Sequence, residues 1–305
     1  MKNRPKSIAL TLKTLAFLNV VAVVGCFIAF FSFKAAEQAL WDAYDNRYSS
    51  YLLADELRQS SDDLTRLGRT YVITADEAYE KQYFDILEIR NGTKPRPLDY
   101  NRIYWDFVAA TGDKPRDDGR TIALLDLMEE ANFTEEEFTL LEEAAANSDG
   151  LVNLEVQAMN AVKGVFQAND GTYTQKGEPD FKLARDLLHS PQYHQYKAEI
   201  MAPIDQFFIR LDQRTQGAID TASVEMEFRN TLFFLLFIGA VGLFAGTIVF
   251  TLRRVIKPMS DLEGSMQVIA QGNYSFPPPQ ANRGDEIDQM ARSVEVFRQN
   301  GMDLL

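Results

Sequence analysis

Residues able to do chemistry are few in this chain. The only two histidines, His189 and His194, stand five apart across Ser190-Pro191, a spacing and a break that do not suit a two-histidine metal site on a helix. No glycine-rich phosphate loop, nucleophile elbow or DNA-binding motif is present, and the carboxylates are scattered as on a solvated acidic face. Neither catalysis nor a cofactor is expected. Non-covalent binding is the chemistry that remains. Arg66, Arg69 and Tyr71 follow one another on one helical stretch, Arg90 ends the next, and Ile103-Tyr104-Trp105-Asp106-Phe107 sets aromatics and a carboxylate beside a proline-containing loop. Two ligand chemistries fit these types. Guanidinium groups can fork onto a small carboxylate, or Tyr104, Trp105 and Asp106 can hold a cation by ring faces and charge. The packing alternative places the aromatics in a core and pairs the arginines with Asp62, Asp63 or Asp85.

Two uncharged apolar runs, Thr14–Phe33 and Thr231–Leu252, bracket these residues. Each is about 20 residues long, enough for a helix to cross the hydrocarbon core of a bilayer. Lys2, Arg4, Lys6 and Lys13 precede the first run, and Arg253, Arg254 and Lys257 follow the second. By the retention of basic flanks in the cytoplasm, both termini face inward and residues 34–230 face outward. Charge divides the same way. Residues 1–33 carry +4, residues 34–230 carry 21 basic and 37 acidic side chains for a net −16, and residues 231–305 carry −1. An acidic exported part argues against nucleic acid or an anionic membrane surface as its partner. The first run exceeds a signal-peptide core, and Ser32-Phe33-Lys34-Ala35-Ala36 is a poor cleavage site, so an uncleaved anchor is expected. The only cysteine, Cys26, lies inside that run, and the exported part must hold together by packing alone. The runs contain no charge, which disfavours an ion or proton path. Asn19 in the first and Gly242-xxx-Gly246 in the second are candidates for helix–helix contact.

The exported part reads as helix with almost no strand signal. Leu40, Tyr44, Tyr48, Tyr51, Leu57, Leu64, Leu67 and Tyr71 recur at near three-and-four spacing, predicting a long helix that leaves the membrane. From Pro191, the residues Tyr196, Ile200, Ile204, Phe207, Leu211 and Thr215 predict its counterpart running into the second span, with a kink at Pro203. A shorter helix is predicted from Asp76 to about Arg90. Another, opened by the capping box Thr134-Glu135-Glu136-Glu137, is predicted to reach roughly Lys163. The segments 91–118 and 169–180 read as irregular. The fold class is therefore all-α: a cytoplasmic 1–13, membrane helices at 14–33 and 231–252, a helical bundle over 34–230, and a cytoplasmic 253–305. A homodimer supplies further helices to such a thin bundle.

After the second span, Met259, Leu262, Met266 and Ile269 repeat at 3-4-3 spacing, and so do Ile287, Met290, Val294 and Phe297 after a break at 271–279. Each is a coiled-coil seam. Two short amphipathic helices cannot bury such stripes alone, whereas two copies in parallel form a four-helix coiled coil. Pro258, the Gly272-Asn273 break, Tyr274, Phe276 and the run Asp285-Glu286-Ile287 together resemble the HAMP domain, the relay of chemoreceptors, sensor histidine kinases and related transmembrane proteins. The family usually has a glycine after Asp-Glu-Ile, where this chain has Asp288. The resemblance implies a relay in which Pro258, Asp285 and Glu286 set the two helices and the seams hold two packings of similar energy. The whole layout, with residues 53–66 and 290–300, resembles the front half of a methyl-accepting chemotaxis protein. That implies a non-catalytic, homodimeric receptor of the bacterial inner membrane. It would sense a small molecule or a periplasmic binding protein, and act on a cytoplasmic adaptor and histidine kinase through an output domain outside residues 1–305. The alternatives are the input half of a sensor histidine kinase or diguanylate cyclase, and a non-sensing membrane adaptor.

Overall fold

The computed structural model describes residues 7–279 and 284–303. Lys2, Arg4 and Lys6, used above for orientation, lie outside them, as does Leu305. The described residues divide into two compact units, one of residues 39–222 and one of residues 1–38 with 223–305.

Helix α1 (Ile8–Thr74) and helix α8 (Pro191–Thr251) both continue unbroken past the unit boundaries. Unit 39–222 adds α2 (Glu77–Arg90), α3 (Trp105–Thr111), α4 (Leu124–Glu130), α5 (Glu135–Ala146), α6 (Asp149–Val162) and α7 (Phe181–Leu188). Local sequence sets their starts. The Asp76 carboxylate accepts the Ala78 amide at 3.0 Å, the Asp180 carboxylate accepts the Leu183 amide at 2.8 Å, and Thr134 with Glu137 forms the reciprocal box. Such caps satisfy amides that have no partner in the first turn.

The core holds two clusters. Leu67, Val72, Ile86, Ala158 and Leu188 centre the larger one. Ala54, Met128, Phe207 and Leu211 centre the smaller, where Phe207 stacks on Phe133 at 5.8 Å. Glu137, fully buried, also receives Arg214 Nε at 3.0 Å, so one carboxylate caps α5 and ties it to α8.

Three expectations change. The helix opened by Thr134 stops at Ala146 instead of reaching Lys163, because Asn147, Ser148 and Gly150 are poor helix formers. A side chain at Gly150 would stand 2.9 Å from the Tyr196 ring. The polar stretch 169–180 is part of a hairpin, β1 (Val165–Gln167) antiparallel to β2 (Tyr173–Lys176), with Val165 opposite Lys176. Its turn uses Gly171 at φ +85°. The segment 91–118 contains α3 and two single-residue bridges, Asn91 with Ala123 and Pro97 with Asp118. Pro203 is buried inside α8, and the helix continues through it.

In the other unit, α1 and α8 supply two stretches long and apolar enough to cross a membrane. They meet through Phe30 and Phe233, 5.8 Å apart, and through Asn19, whose Nδ2 donates to Thr247 Oγ1 at 3.0 Å. A Cβ at Gly242 or Gly246 would meet nothing within 4 Å, so these glycines do not serve the contact between the two helices of one chain. Then come a π turn (Leu252–Ile256), α9 (Lys257–Ala270) and α10 (Glu286–Met302).

Candidate functional sites: a loop cavity, a buried carboxylate and a helical relay

The prolines at 95 and 97 and the left-handed Asp99, at φ +49°, keep the chain after α2 extended and looped. It is pinned by Arg96 N donating to Arg120 O and Leu98 N donating to Asp117 O, each at 2.9 Å. This brings Tyr100, Tyr104 and Trp105 together edge to face, with centroids 5.1 Å apart for Tyr104 and Trp105. Trp105 Nε1 donates to the Tyr100 hydroxyl at 2.7 Å. Behind them the buried Arg96 pairs with Glu56 and lies over the Tyr100 ring, 5.7 Å from its centre. Its Nε and Nη2 have no hydrogen-bond partner among the described residues. A cavity of about 240 Å³ opens here, faced by the carboxylates Asp55, Glu56, Asp63 and Asp106 and by the three rings. All four carboxylates are already paired, Asp55 with Arg58, Glu56 with Arg96, and Asp63 and Asp106 with Arg66, so the ring faces rather than free charge are what this cavity offers a cation.

The six residues singled out for ligand binding are distributed over three places. Tyr104, Trp105 and Asp106 face this cavity. Arg66 lies beside it, 2.8 Å from Asp63 and 3.6 Å from Asp106. Arg69 points elsewhere, with Nε donating to Leu188 O at 3.1 Å and the guanidinium 4.9 Å from the centre of the Tyr193 ring. Tyr71 is core, 2% exposed, and burial first, then Glu80 and Glu77, push its hydroxyl up to about 12. No shared carboxylate fork is assembled by Arg66, Arg69 and Tyr71.

A second polar arrangement had no expectation attached. Glu155 on α6 is buried and accepts from the Tyr83 hydroxyl at 2.5 Å and from the Tyr193 hydroxyl at 2.9 Å. Burial raises its pKa, opposed by the two hydroxyls and by Lys197 and Arg90. The sequence signal was present. Glu155 occupies the apolar stripe of α6 with Leu151, Ala158 and Val162, where a carboxylate needs a buried partner.

The relay segment starts where α8 ends. Proline has no N–H and its ring crowds the carbonyl four residues back. Just before Pro258 the helix widens into the π turn, the Lys257 amide donating to Leu252 O. On α9, Leu262 and Ile269 are buried, while Met259 and Met266 are 46% and 55% exposed. On α10, Ile287 and Ala291 are buried against Leu262, Val294 is half-buried and Met290 is exposed. Asp285 caps α10 by accepting the Asp288 amide at 3.1 Å. Asp288, standing where the relay family usually has glycine, receives the Gly284 amide on its side chain. Tyr274, early in the connector, accepts from Arg298 Nη1 through its carbonyl at 2.7 Å, and its ring occupies the space that a side chain at 301 would need.

Residues 250–301 match the HAMP domain. No curated protein and no solved structure matches the chain. The HAMP domain directly follows the second membrane-length helix, so the chain has the layout of a transmembrane receptor with a signal relay. Placement of this two-pass layout in an inner membrane fits both features. Within one chain the HAMP helices cover only part of their apolar stripes, and the methionines at 259, 266 and 290 remain at the surface.

Proposed function

We propose that this chain is the input and relay portion of a bacterial chemotaxis receptor. Residues 34–230 face the periplasm and receive a small molecule, or a binding protein carrying one. The HAMP domain of a homodimer passes the change to a cytoplasmic adaptor and histidine kinase through an output domain. The chain does no covalent chemistry of its own. The observation that carries this reading is the HAMP match directly after a membrane-length helix. The exposed Met259, Met266 and Met290 support the homodimer, because seam residues of a parallel coiled coil are buried only by a second copy. The basic flanks and the −16 charge of residues 34–230 support the orientation.

The choice of output rests on the resemblance of residues 290–300 to chemoreceptors. The encoding DNA tests it. A reading frame that continues past codon 305 into long methylation helices and a kinase-contact hairpin is the expected result. A histidine kinase or diguanylate cyclase domain there would overturn the chemotaxis assignment and leave the relay standing. A stop codon would favour the non-sensing adaptor.

A further inference from the structure

Arg90, the last residue of α2, is half-buried. Two cavities meet at it. One, of about 400 Å³, is walled by Leu57, Leu124, Leu141 and Ile204. The other, of about 290 Å³, is walled by Leu64, Phe84, Leu151 and Val152. Ser61, Arg90, Ser148 and Ile200 line both, so the two spaces are adjoining halves of one cleft among α1, α2, α4, α5, α6 and α8. Among the described residues, no hydrogen bond or ion pair engages the Arg90 side chain. Burial lowers its pKa, with only longer-range attraction from Tyr83 and Glu155 opposing.

The other charges around the cleft are already engaged. Glu155 holds the hydroxyls of Tyr83 and Tyr193, Lys163 pairs with Glu80, and Lys197 donates to Ser61 O at 3.0 Å and to Ser61 Oγ at 2.7 Å. A half-buried cation without a hydrogen-bond acceptor is costly, and a carboxylate supplies the two acceptors that a guanidinium fork fits. The walls on either side are aliphatic and aromatic, which suits an apolar body. Together the two cavities fall in the size range of small-ligand sites.

We propose that this cleft binds a monocarboxylate with an aliphatic or aromatic body, its carboxylate on Arg90 and its body along Leu124, Leu141 and Ile204. The inference deepens the sensor reading by naming a ligand class. Its test reads binding alone, so a failure of signalling output would count against that reading and not against this site.

The experiment is thermal unfolding of the 305-residue chain in detergent with benzoate, hexanoate and decanoate, each set against its neutral amide. The expected result is a Tm rise of about 3–5 °C for at least one acid at roughly tenfold above its Kd, and none for its amide. Arg90→Gln should abolish the rise. Ala145→Phe, which narrows the cleft from the exposed face of α5, should abolish it too and keeps the test open if Arg90→Gln unfolds. Trp105→Ala, at the other cavity, should leave it intact. A rise that survives Arg90→Gln, an equal rise with the amide, or no rise with any of the three acids would overturn the proposal.

Discussion

The backbone amide of Ile8 donates to the Glu286 carboxylate at 2.7 Å, and the Ser7 hydroxyl donates to the same carboxylate. The start of the first membrane-length helix is thereby capped by the first turn of the second HAMP helix. Residues 278 apart in sequence share one hydrogen bond. Ile8 also packs against Leu262, Ile287 and Ala291. One contact therefore links the entry of α1 to both HAMP helices. A change of HAMP packing must either carry the start of α1 with it or break this cap.

Glu286→Ala should release that cap. The hydrogen bond from Ser7 is the first cause of the lowered Glu286 pKa, followed by the amide of Ile8. A depressed carboxylate contributes above its unfolded pKa and loses that contribution as pH falls through the folded value, so at neutral pH the cap is fully formed. Hydrogen–deuterium exchange should speed up at the amides of Ile8 and Ala9 in the variant, with the amides of α6 unchanged. Equal exchange in both proteins would show that the cap does not hold the start of the helix.

Pro258→Ala should tighten the π turn. Alanine restores an N–H for the Arg254 carbonyl and removes the ring that crowds it. Loss of one residue from a turn rotates everything beyond it by about 100°. Disulfide formation between copies at Met259→Cys and Met266→Cys, in a Cys26→Ser background, should then drop and reappear at Ser260→Cys and Gln267→Cys. An unchanged cross-linking pattern would mean that the wide turn does not depend on the proline.

Burial raises the pKa of Glu155, the largest cause being desolvation. The folded state therefore holds this proton more tightly than the unfolded chain does. Its contribution is complete below the unfolded carboxylate pKa and is lost as pH rises through the folded value. Glu155→Gln should flatten that fall while still accepting from one of the two tyrosine hydroxyls. Urea unfolding followed from acid to neutral pH measures both slopes, and parallel slopes for wild type and variant would remove Glu155 from the account.

Trp105 is 6% exposed and supplies the Tyr100 hydrogen bond. Trp105→Ala should cost about 3–5 kcal/mol in urea unfolding, the range for truncating a buried aromatic. A loss below about 1 kcal/mol would place the indole in a loop that collapses freely around the gap.

Periodicity made the long helices and the HAMP seams legible, because an apolar stripe at three-and-four spacing has one geometric meaning. The capping residues Asp76, Thr134 and Asp285 were legible for the same reason: each is a short polar side chain just before a stripe. The break after Ala146 was hidden by residues that continue the stripe on both sides of it. The hairpin at 165–176 was hidden by its length, since strands of three and four residues give too little alternation to read. Binding groups were the least legible. Arg66, Arg69 and Arg90 look equivalent in sequence, yet one pairs with Asp63, one donates to Leu188 O, and Arg90 borders a cleft with no hydrogen bond or ion pair on its side chain among the described residues. The Asp63–Arg66 pair is spacing along α1, whereas the settings of Arg69 and Arg90 come from the tertiary placement of α6, α7 and α8, which no local spacing contains.

The central proposal is that residues 34–230 and the HAMP domain lie on opposite sides of a membrane. In a Cys26→Ser background, Asp170→Cys in the exposed hairpin turn and Arg292→Cys on the face of α10 away from the seam give one thiol on each side. Spheroplasts treated with a membrane-impermeant maleimide should label position 170 at once and position 292 only after permeabilisation. Labelling of 292 in intact spheroplasts, or protection of 170 until they are broken, would contradict the account.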